Sequence, residues 1–218
     1  GLGDVYKRQA SDVYKRQIKL SAGLTTIQSN GGPITLTAVR GTGDEDLSVS
    51  AGSSDTDATV SVAAIGAGGE ITEITLNGAD GVTLNGDIST GDYSGAAVDI
   101  TGPVTLGAGI TIDTAETNND GTITFNSTST INGGNSLTLT SDTGDVALQG
   151  AIGTTGTGIG NLDINQGGGT GAIEINDIGD GDNVGITGTA HIGNAATTSI
   201  TLDGTVYKFD GNADFDAD

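Results

Sequence analysis

Residues 82–112 read VTLNGDISTGDYSGAAVDITGPVTLGAGITI. Val82-Thr-Leu84 returns as Val104-Thr-Leu106, 22 residues on, and Ile110-Thr-Ile112 follows six residues after that. An apolar residue at i and i+2 around a small or polar one is the period-2 pattern of a half-buried strand. β-Branched Val, Ile and Thr fit the pleated surface of such a strand. The same triplet recurs outward in both directions: Ile34-Thr-Leu36, Ile74-Thr-Leu76, Ile123-Thr-Phe125, Leu137-Thr-Leu139 and Ile200-Thr-Leu202. Val146-Ala-Leu148, Leu162-Asp-Ile164, Ile173-Glu-Ile175 and Val184-Gly-Ile186 keep the outer residues and change the middle one.

Clusters rich in Gly and Asn divide the triplets, among them Asn30-Gly31-Gly32, Asn77 to Gly81, Asn118 to Gly121, Asn132 to Asn135 and Gly167 to Gly169. These residues form turns and tolerate positive φ. No stretch of ten residues carries a 3.6-residue apolar period, so essentially no helix is expected. Val82 to Val104, Leu162 to Val184 and Val184 to Val206 are each 22 residues, and Ile123 to Val146 is 23. A recurrence near 22, with two or three short strands per period, predicts an all-β fold: a parallel β-helix or solenoid with rungs of about 22 residues. A run of β-sandwich repeats is the alternative, and its strands would recur at shorter spacing. One rung alone cannot offset the entropy of its ordering, so stability must accumulate by stacking.

The 218 residues include 39 Gly, no Cys, no Met and no Trp. Absent Cys excludes disulfides and thiolate metal sites. A chain without Met that opens on Gly is expected to be a fragment or processed product. No apolar run approaches the length of a spanning helix, so no membrane insertion is expected. Seven Lys and Arg face 28 Asp and Glu, a formal net charge of −21. That balance argues against nucleic acid and anionic membranes as partners.

The segment from Gly78 to Gly153 resembles the repeat region of large bacterial secreted and surface adhesins, of the filamentous-haemagglutinin and autotransporter-passenger type. The likeness rests on Val-Thr-Leu-Asn-Gly-Asp-Ile (82–88), Gly-Pro-Val-Thr-Leu-Gly-Ala (102–108), Ile-Thr-Phe (123–125) and the Leu-Thr-Leu and Thr-Gly-Asp-Val-Ala-Leu runs within 137–148. It implies a right-handed parallel β-helix and the role of a long secreted shaft or adhesin, extracellular or on a bacterial cell surface. It further implies host or neighbouring-cell surface glycans or proteins as partners, and continuation into further repeats of the same chain. It carries over no ligand site.

Chemistry-bearing residues are few. His191 is the single histidine, and a lone His is read as a surface or turn residue. No nucleophile elbow and no Cys–His pair are present. Gly167–Gly169 lacks the Lys and helix of a phosphate loop. No catalytic residue is expected, and the chain is read as a non-enzyme. Paired carboxylates on a β-helix groove can cleave polysaccharides, and that remains a third reading. Calcium is the one cofactor weighed, and a calcium-dependent binding module is the second reading. Its candidate ligands are Asp210, Asn212, Asp214, Asp216 and Asp218, which begin like an EF-hand loop but lack its Gly and Glu. Asp177, Asp180 and Asp182 are the other set, resembling one loose turn of a calcium-binding nonapeptide repeat. Solvated acidic turns are the simpler reading of both. The acidic residues Asp44 to Asp46, with Asp55 and Asp57, are read as loop.

The first seventeen residues obey none of this logic. DVYKRQ occurs at Asp4–Gln9 and again at Asp12–Gln17. The codons GAT-GTG-TAT-AAG-AGA-CAG encode it and look like a transposon adapter used to build sequencing libraries. The chain therefore divides into 1–17, read as adapter artefact; 18–206, the solenoid; and 207–218, an acidic start of a further repeat.

Overall fold

The computed structural model describes residues 17–21, 23–52, 57–91, 95–115 and 120–218. The DVYKRQ copies lie outside these residues except for Gln17, as does Asp55. The fold is all-β and without helix among the described residues. Every strand pairing is parallel. The chain winds through about seven turns of a β-solenoid.

Each turn visits three faces. Face 1 stacks eight strands: Leu24–Gln28, Asp46–Ser50, Ile74–Asn77, Ala96–Thr101, Thr122–Phe125, Val146–Leu148, Ile173–Ile175 and Ile200–Leu202. Face 2 stacks Ile34–Leu36, Thr59–Val62, Gly81–Leu84, Val104–Leu106 and Ile131–Asn132. It then thins to single bridges through Ile152, Ile178 and Tyr207. Face 3 begins with Ile18–Lys19 and Val39–Arg40, passes through Ile65 to Ile88–Ser89, and continues as Ile110–Asp113, Leu137–Thr140, Leu162–Ile164, Ala190–Gly193 and Ala213–Asp216.

The triplets sit where their alternation requires. Most of these strands read buried–partly exposed–buried, as in Val146–Leu148. Their inward residues form vertical aliphatic columns, for example Val60, Val82 and Val104, all at most 1% exposed. Such side chains suit a narrow interior, and among the described residues Phe125 is the one aromatic residue in the buried core.

The rung is longer than 22 residues. Rungs lie about 25 residues apart. Val82 pairs with Val104 and Ile123 with Val146, as the spacing predicts. Leu47, however, pairs with Ile74, 27 residues on. Leu162 pairs with Ala190 rather than Val184. Val184 is half-buried in a corner, and only Ile186 of its triplet enters a ladder, bridging Ile159 and Phe209. The length between paired strands thus varies while the pairing within each face is kept. Asp46, read as loop, begins a face 1 strand, because its N–H donates to the Gly23 carbonyl of the preceding rung.

The last rung is paired on one side only. Residues 207–218 continue the winding: Tyr207 bridges Ile178, and Ala213–Asp216 pairs with Ala190–Gly193.

Candidate functional site

The two acidic sets take different places. Asp177 leads out of face 1. Its Oδ1 accepts backbone N–H groups from Thr205 at 2.5 Å and Val206 at 2.8 Å, one rung away. These donors, Val206 first, hold its carboxyl below the ordinary value of 3.8. Asp180 closes the next turn on itself. Its Oδ1 accepts the N–H of Asp182 at 2.8 Å and of Asn183 at 2.7 Å, and the Asn183 amide at 3.0 Å. The Asn183 side chain is the main cause of its lowered pKa. Both carboxylates thus serve as backbone caps. Asp182 is exposed at the tip.

The second set runs along the final strand. Asp214 and Asp216 stand in register with His191 and Gly193. With Gln166 and Asn194 they line a small hollow of about 120 Å³. His191 Nδ1 is 2.8 Å from Asp163 Oδ1 on the preceding rung. His191 is therefore a member of an outward column, Asp163–His191–Asp214, rather than a turn residue. The backbone carbonyl of Asn212 accepts the Ala190 N–H. Asp210 and Asp218 are exposed on either side. Among the described residues no three of His, Asp and Glu converge closely enough to hold a metal ion.

The acidic loop after face 3 contains a buried carboxylate. Glu45 accepts the N–H of Thr42 at 2.6 Å and of Gly43 at 2.9 Å, and the Thr42 hydroxyl. The Thr42 hydroxyl, first among these, lowers its pKa.

A larger hollow, of about 770 Å³, opens on face 3. Lys19 and Arg40 lie in register on adjacent rungs and point outward, while Ile18 and Val39 face the core. Ile65 bridges Val39 and then Ile88, so the outward column continues through Gly66 and Ser89. Gly66 has φ +83°, and a Cβ there would collide with the Ser89 carbonyl. Glycine is therefore required at this position, and Gly66 and Ser89 both line the hollow beside Arg40. Gly41, Gly68, Gly69, Thr42 and Glu70 complete the lining. The sequence reading passed over this pair. Its signal was the 21-residue interval between Lys19 and Arg40, close to one rung.

No protein-family model, no curated protein and no solved structure matches the chain.

Proposed function

We propose that this chain is a structural shaft segment of a secreted or surface-exposed bacterial repeat protein, adhesin-like and non-catalytic. The observation that carries the reading is the uniform stack of parallel rungs on three faces. Leu202 is 45% exposed and Phe215 38%, whereas Ile175 and Ile192, their register partners one rung inward, are 0% and 1%. The inward positions of the last rung bear the same apolar side-chain types as the columns beneath them. Seven rung spacings of roughly 4.8 Å make a rod of about 34 Å, and further repeats would lengthen it without changing its section. The outward residues of the strands are largely short and polar, which suits a spacer exposed to water. Surface glycans or proteins are the partners such a shaft would present itself to.

Incubating the purified chain with surface polysaccharides and glycoproteins tests the reading. Retention on them, or no interaction, with intact polymers afterwards is the expected result. New reducing ends or unsaturated products would replace it with the polysaccharide-active reading.

A further inference from the structure

Three cations belong to the described residues: Lys19, Arg40 and Lys208. Lys208 Nζ donates to the Gly181 carbonyl at 2.6 Å. Among the described residues Lys19 and Arg40 make no ion pair, although the chain carries 28 acidic residues. They are stacked directly beside each other, and like charges in register repel. Arg40 Nε is also buried without a hydrogen-bond partner. A buried, unsatisfied donor costs about 1–3 kcal/mol. The loop carrying Gly69 packs on the Arg40 stem: a Cβ at Gly69 would approach the Arg40 Cβ to 3.3 Å. Arg40 and Lys19 both line the 770 Å³ hollow.

We propose that this hollow is a binding site for a single small oxyanion group, a carboxylate on a hydroxylated ring or a phosphate monoester, gripped between Lys19 and Arg40. A planar guanidinium offers two parallel N–H donors to such a group, and the ammonium adds a point charge. Ser89 and Glu70 also line the hollow and bring polar groups for ring hydroxyls. Gly68 faces open space, with no atom within 4 Å of its Cβ position. An extended polyanion does not fit the reading, because the rest of this acidic surface repels it. The site stands independently of the shaft reading.

Amide NMR titration of the full chain with glucuronate and, separately, inorganic phosphate tests it. Saturable shifts centred on Thr42, Gly66 and Gly69 are expected, with a Kd in the range of about 1 mM. Arg40→Gln and Lys19→Gln, each checked for unchanged strand content, should each weaken binding by about tenfold or more. Arg40→Lys should also weaken it, because the fork is lost. Response to glucuronate alone assigns a carboxylate, to phosphate alone a phosphate monoester, and to both a general oxyanion site. No saturation with either probe up to about 50 mM overturns the proposal, as does binding unchanged in both Gln variants. Polygalacturonate binding more tightly per sugar than glucuronate overturns the single-group reading.

Discussion

Phe125 and Leu202 both occupy inward positions on face 1, but only Phe125 has a rung on each side. It is fully buried, with Ile100 below and Leu148 above in register. Phe125→Ala should cost about 3–5 kcal/mol, since it removes a ring from an interior too narrow to collapse. Leu202→Ala should cost under about 1 kcal/mol, because its side chain already meets water. Denaturant unfolding of the two variants makes the comparison, and equal losses would contradict the stacked core. Polar residues hold the corners by the same logic. Asn165, 2% exposed with φ +50°, accepts the Ser141 N–H at 2.8 Å and donates to the Ser141 hydroxyl at 3.0 Å. Asn is among the few side chains that tolerate this backbone region, and here it also satisfies a buried N–H. Asp177 does comparable work across rungs with a charge. Its folded pKa is depressed by the Val206 and Thr205 N–H groups, so its contribution is present above about pH 3.8 and fades as pH falls through the lower folded value. Asp177→Asn should lower the melting temperature by a few degrees at pH 7. That gap should close progressively below about pH 3.8, and a gap independent of pH would mean the charge contributes nothing.

At the scale of the strand and its corner, the sequence speaks unevenly. Ten of the twelve triplets quoted from it carry an inward–outward–inward pattern with buried ends, because period-2 alternation is dictated by the strand itself. Ile200-Thr-Leu202 lacks a covering rung, and Val184-Gly-Ile186 lies in a corner where Gly185 packs against Ile178 and Gly179. Corners are where the spacing misled. Val82 and Val104 pair at 22 residues, whereas later rungs, which contain the Gly-rich stretches around 153–158 and 166–170, run to 25 residues or more. Nothing local encodes how far a loop departs before the next strand returns to register. The candidate acidic sites were equally hard to read from sequence. Residue type alone cannot distinguish a carboxylate that caps backbone N–H groups, as Asp177 and Asp180 do, from one that faces a cation. On the final strand, Asp214 and Asp216 share the outward side with His191 nearby, while Asp210 lies before the strand. Calcium at about 10 mM should therefore shift the melting temperature by less than about 1 °C. A site with a Kd at or below about 1 mM would give a rise of several degrees, and such a rise would establish the calcium-dependent reading instead.

For the whole molecule, a solenoid makes a demand that a globular domain does not. Each rung contacts only its neighbours, so a complete turn can be removed if the cut falls at equivalent positions. Ile110 and Leu137 are register partners on face 3. Deleting residues 110–136 joins Gly109 to Leu137 and returns each later strand to its own face, one rung earlier. Val146 then meets the strand containing Val98, and Ile152 meets Val104, so the aliphatic columns stay aliphatic. The shortened chain should fold cooperatively, with a parallel-sheet circular dichroism spectrum and a rod shorter by about 4.8 Å in small-angle scattering. Deleting 110–121 instead joins Gly109 to Thr122 and forces a face 1 strand into face 3. Every later corner is then out of phase, and the Thr140 carbonyl at the corner between those faces loses the Thr114 N–H that donates to it from the neighbouring rung. That shorter deletion should unfold the chain although it removes fewer residues. If both deletions unfold it, its stability resides in contacts beyond nearest-neighbour rungs. If both fold, the register does not govern it.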